Sequence, residues 1–112
     1  MKVNVDTFIN ALSISQNLGS VLFCPSSISA YGFTDLDNRK NISEESMQKP
    51  LYLYGITKVY MEQLGSYWTI NKGIDFRSIR YPGIVSSTLP HGGTTDFITR
   101  LFKSYALCCF KK

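Results

Sequence analysis

Val21-Leu22-Phe23-Cys24, a continuous apolar run closed by Pro25, constrains this chain more than any other stretch. A short run without alternation suits a strand covered on both faces, the condition of strands in parallel sheets rather than of half-solvated hairpins. The next strand-like segment is Ile74-Asp75-Phe76-Arg77-Ser78-Ile79-Arg80. Between them lie a long polar stretch and a helical pattern. Strand, connection with helix, then strand predicts a right-handed βαβ crossover.

The helices are read from spacing. Val5, Phe8, Ile9 and Leu12 fall at i, i+3, i+4 and i+7, which predicts a helix over about Val5 to Asn17 ended by Gly19. Pro25 to Gly32 leaves the strand as a loop with hydroxyls at its start, and Phe33 to Pro50 reads as a polar surface connection. A stripe through Ile56, Val59, Tyr60, Gln63, Tyr67 and Ile70 predicts a second helix running toward Asn71, with Gly73 as its stop. After Gly92-Gly93-Thr94-Thr95-Asp96, the residues Phe97, Ile98, Leu101, Phe102 and Tyr105 predict a third helix, capped by Thr94 or Thr95. Residues 108–112 read as a tail, and residues 1–107 as one domain. Two parallel strands and about three helices make only part of an α/β domain.

Composition removes several function classes. The formal charge is +4, but Lys111 and Lys112 supply part of it at the terminus and no basic run is interleaved with aromatics. That pattern argues against a nucleic-acid partner. Three cysteines, two of them adjacent at Cys108-Cys109, are no disulfide framework. With no C-x-x-C pair and His91 as the single histidine, a metal site is not expected. No segment approaches the ~20 apolar residues of a membrane span. Met1-Lys2-Val3-Asn4 does not open a secretory signal, so an intracellular, reducing compartment is the expectation.

Chemistry concentrates at Leu53-Tyr54-Gly55-Ile56-Thr57-Lys58. Four residues apart on a helix, Tyr54 and Lys58 share one face, and an ammonium beside a phenol favours the phenolate. Alone this spacing is weak, since roughly half such a match is expected by chance in a chain of this composition. Its neighbours strengthen it. Ser27 stands just past the first predicted strand and Tyr81-Pro82-Gly83 just past the second, where α/β sheets bind ligands.

Phe23-Cys24-Pro25-Ser26-Ser27-Ile28, Tyr54-Gly55-Ile56-Thr57-Lys58, the run from Asp75 to Ser86 and Gly92-Gly93-Thr94-Thr95-Asp96 together resemble the extended short-chain dehydrogenase/reductase family. Within it the likeness is to the NAD-dependent L-threonine 3-dehydrogenases. The resemblance implies a partial Rossmann-type, doubly wound α/β fold. It also implies oxidation of L-threonine to 2-amino-3-oxobutanoate with NAD as cofactor, in mitochondria or cytoplasm. By that likeness Tyr54 is the general acid/base, Lys58 binds the nicotinamide ribose and Ser27 holds the reacting oxygen. Asn4 supports the lysine, Tyr81, Pro82 and Ile84 line the nicotinamide pocket, and Thr94 and Thr95 meet the substrate.

One departure bears on activity. No G-x-G-x-x-G occurs among the 112 residues, and a dinucleotide cradle needs that turn. The chain therefore reads as the C-terminal part of the NAD-binding domain, lacking the half that holds adenine and pyrophosphate and impaired on its own. A non-catalytic form that pairs with a full-length subunit, or a homo-oligomer, is the alternative. A sugar-nucleotide epimerase or dehydratase is a further one, against which the Gly92 to Asp96 run tells.

Overall fold

The computed structural model describes residues 2–32, 42–84 and 100–101. The chain divides into two compact units, residues 1–81 and 82–112. In the first, helix α1 (Lys2–Leu18) leads into strand β1 (Leu22–Ser27), a 3-10 turn (Ile28–Ala30), helix α2 (Leu53–Lys72) and strand β2 (Phe76–Tyr81). The strands pair in parallel, with Leu22 opposite Phe76 and Ser27 opposite Tyr81. This is the α/β arrangement with two parallel strands that the sequence predicts. In the second unit, Arg100 and Leu101 are helical, and the rest of the predicted third helix lies outside the described residues.

Both helices pack on one face of the sheet. Phe8 and Leu12 from α1, Cys24 from β1, Met61 from α2 and Ile74 before β2 form the core, with Leu22, Leu64, Trp68 and Phe76 packed against it. Leu12 is fully buried, a gain of about 2 kcal/mol for a side chain of its size. Phe8 and Phe76 meet edge to face at 5.8 Å between centroids. Gly65 admits the Phe76 ring, for a Cβ there would lie 2.4 Å from it. Gly73 ends α2 at φ 70°, its N–H returning to the Thr69 carbonyl at 3.1 Å.

Two expectations are corrected. Strand β1 does not stop at Pro25 but continues to Ser27. Among the described residues it has a single neighbour, and a strand of that kind tolerates a proline that can donate no ladder bond. Nor is β1 covered on both faces: Leu22, Cys24 and Ser26 point to the helices, while Phe23 is 48% exposed on the other side. In α2 the helix forms as expected, and its faces are a new observation. Its predicted apolar stripe faces outward, with Ile56, Tyr60, Tyr67 and Ile70 exposed, and the buried face is Gly55, Thr57, Met61, Glu62 and Gly65. Glycine is needed at positions 55 and 65 because the helix lies close against the 3-10 turn and the Phe76 ring there. Among the described residues, no helix is long and apolar enough to cross a membrane, and no cluster of His, Cys, Asp or Glu is placed to hold a metal ion.

Candidate active site

Tyr54 stands in the first turn of α2, half exposed, and Lys58 follows one turn later. The helix brings the Lys58 ammonium to 5.5 Å from the centre of the Tyr54 ring, within cation–π range. Lys58 Nζ also donates to the Pro25 carbonyl at 2.6 Å. A charge-assisted bond of this length holds the lysine at the end of β1. Asn4 of α1 and Lys58 share the wall of a cavity of about 360 Å³, together with Phe8, Cys24, Pro25 and Met61. Burial pushes the Cys24 thiol above its ordinary range, and the nearby Lys58 charge only partly offsets that.

Ser27 closes β1 and begins the 3-10 turn. Its Oγ accepts from the Ser29 N–H at 3.2 Å and donates to Ser29 Oγ at 3.2 Å. Tyr81, its register partner, closes β2, so both stand at the carboxyl ends of adjacent parallel strands. The turn reaches α2 through Gly55, where a Cβ would lie 2.3 Å from the Ser29 carbonyl oxygen. This contact seats the Ser27 turn on the helical turn that carries Tyr54. Pro82 and Ile84 belong to the second unit, where Ile84 is exposed. Thr94 and Thr95 lie outside the described residues.

Sequence reasoning passed over a second polar cluster behind this site. Glu62, nearly buried, accepts from Ser26 Oγ, from Gln48 Nε2 at 2.8 Å and from Arg80 Nε and Nη2 at 3.1 and 2.7 Å. Burial raises the Glu62 carboxyl, but the hydrogen bonds from Arg80, Ser26 and Gln48 outweigh it and hold the group below its ordinary range. Arg80 also donates to the Tyr31 hydroxyl at 2.5 Å and to the Glu44 carbonyl at 2.9 Å, and its guanidinium lies 4.6 Å from the Tyr31 ring centre. Two signals pointed here. Glu62 lies one turn beyond Lys58 on the same face as Tyr54, and the two-residue period puts Arg80 on the core face with Phe76 and Ser78. An inward arginine demands an acid.

The profile of the NAD dependent epimerase/dehydratase family matches residues 1–107. The chain belongs to that family. As a family member it is 39% identical over 102 residues to the mitochondrial L-threonine 3-dehydrogenase of Sus scrofa, covering 90% of this chain and 27% of the pig protein. The solved L-threonine 3-dehydrogenase of Trypanosoma brucei superposes with a TM-score of 0.83 at 38% identity, covering 96% of this chain and 33% of that one. The L-threonine dehydrogenase of Phytophthora infestans does so with a TM-score of 0.79 at 34% identity, over 94% and 34%. The chain thus spans about a third or less of the length of these relatives.

Proposed function

We propose that this chain carries the proton-transfer part of an L-threonine 3-dehydrogenase. The observation that supports it is the joint placement of Tyr54, Lys58 and Ser27 around the carboxyl end of β1, in a chain similar to enzymes of that name. On this reading Ser27 Oγ and the Tyr54 hydroxyl hold the substrate's β-hydroxyl, and Tyr54 takes its proton. Lys58 stabilises the phenolate that accepts this proton, which leaves Tyr54 as the neutral phenol. Asn4, beside Lys58 in the same cavity, keeps that lysine hydrated and in place. Tyr81 stands on the nicotinamide side, and the likeness to the family assigns Pro82 and Ile84 to the nicotinamide and Thr94 and Thr95 to the amino-acid end of L-threonine. NAD, when bound, supplies the hydride acceptor that turns the alcohol into a ketone.

The residues present suit only one end of that cofactor. Lys58 and Tyr81 fit a ribose and a ring, but no glycine-rich turn is available to cradle the pyrophosphate. The purified 112-residue chain is therefore expected to give little or no NADH from L-threonine and NAD, read at 340 nm. Steady NADH formation that depends on threonine would overturn that expectation. Fusing the chain behind the cofactor-binding segment of the pig relative tests the substrate: threonine is expected to be turned over. A fusion that instead interconverts a sugar nucleotide would favour the epimerase reading.

The outward stripe of α2 favours a second reading that is compatible with the first. Ile56, Tyr60, Tyr67 and Ile70 form an apolar seam on the helix that bears the site, which suits association with a second copy or with a full-length subunit.

A further inference from the structure

We propose that Glu62 is a positioning residue for the Tyr54–Lys58 site, acting through Ser26 and Arg80; this rests on the reading of that pair given above. The cluster around Glu62 joins every described element of the first unit that carries a site residue downstream of α1. Glu62 itself is on α2, one turn beyond Lys58 and two beyond Tyr54. Ser26 lies on β1 between Pro25, whose carbonyl holds the Lys58 ammonium, and Ser27. Arg80 lies on β2 beside Tyr81. Tyr31 and Gln48 tie in the connection on either side of the undescribed stretch.

The chemistry explains why one carboxylate can do this. An ionised carboxylate only accepts, and has about four lone-pair positions to offer. Here Ser26, Gln48 and Arg80 fill them from three separate elements. Arg80 spends two of its nitrogens on Glu62 and the third on Tyr31 and Glu44, so its planar fork fixes the angle between β2 and the turn after β1. Sliding α2 along the sheet would break all of these bonds together. The register of Lys58 against the Pro25 carbonyl, and of Tyr54 against the Ser27 turn, follows from that anchor.

The amide of Glu62→Gln offers Arg80 donors where it needs acceptors, and Ser26→Ala cuts only the arm to β1. Both are made in the 112-residue chain. Lysines are labelled as ¹³C-dimethyl amines, with Lys58 assigned through Lys58→Arg, and backbone amide exchange is followed by NMR. Thr69→Ala, on α2 but outside the cluster, is the control. In Ser26→Ala the Lys58 methyl signal is expected to move toward that of free dimethyl-lysine, and the Ser29 amide, bonded to Ser27 Oγ, to exchange at least tenfold faster. Exchange in the middle of α2 and in α1 stays as in the parent, whereas loss of stability alone would speed all of them. An unmoved Lys58 signal and an unchanged Ser29 amide in Ser26→Ala overturn the proposal, whether or not Glu62→Gln folds. Neither NAD nor threonine enters the measurement, so its failure is distinct from failure of the dehydrogenase reading, which the fusion enzyme decides.

Discussion

At the scale of single residues, the proposed site rests on a glycine and a buried carboxylate beside the groups assigned to substrate. Gly55 follows Tyr54, and a Cβ on it would lie 2.3 Å from the Ser29 carbonyl oxygen and 2.8 Å from Pro50 Cβ. Backbone cannot give way as a flexible side chain can. Gly55→Ala is expected to cost about 1–3 kcal/mol in a urea titration, despite alanine's better helix propensity. A more stable Gly55→Ala would show that the Ser27 turn is not seated on α2 as described. Glu62 makes a second prediction, in pH. Its folded carboxyl lies below its ordinary value of 4.5, so its contribution is fully present above that pH and is lost as pH falls through the lowered folded value. Near neutral pH, Glu62→Gln is expected to lower stability by about 3 kcal/mol, the lower end for breaking a buried pair, because Arg80 retains some exposure. The gap between parent and variant should narrow as pH falls below 4.5. A gap that is constant with pH would mean the carboxylate charge does no work in the fold.

At the scale of elements, periodicity gave the positions of the secondary structure more reliably than it gave their faces. The C-terminal end of α2 and its stop at Gly73 were legible in the sequence, because a left-handed residue after a long helical stretch has few alternatives. Which face of α2 is buried was not. Ile56, Tyr60, Tyr67 and Ile70 are the apolar residues at helical spacing, and an apolar stripe is ordinarily the core. Here the core face is built from Gly55, Thr57, Met61, Glu62 and Gly65, and its two glycines permit close packing that a hydrophobicity pattern does not register. The apolar stripe is the surface proposed above for association. Replacing Ile56 and Tyr67 together by glutamate is accordingly expected to shift any self-associated form toward monomer in sedimentation velocity, with stability changed by less than about 1 kcal/mol. Unchanged sedimentation in an associated parent would place the contact elsewhere.

At the scale of the whole molecule, the parallel pairing of β1 and β2 and the crossover through α2 were legible from one apolar run, one helix and one further strand. Tyr54, Lys58, Ser27 and Tyr81 were singled out through their likeness to a family and not through spacing alone. The Glu62–Arg80 cluster escaped notice because its members are distant in sequence, so that the periodicities that turn Glu62 and Arg80 inward do not by themselves pair them. The sheet keeps its helices on one face, with Phe23 and Ile79 exposed on the other, and the chain covers a third or less of its relatives. These features accord with the proposal that the unit supplies acid/base groups to a cofactor held by other residues. The decisive measurement is threonine-dependent NADH formation by this chain fused behind the cofactor-binding segment of the pig relative, compared with Tyr54→Phe in the same fusion. The parent fusion is expected to turn over, and Tyr54→Phe to lose about 10²–10⁴-fold in kcat with NAD binding retained. A Tyr54→Phe fusion that keeps the parent rate would contradict the assignment of proton transfer to this helix.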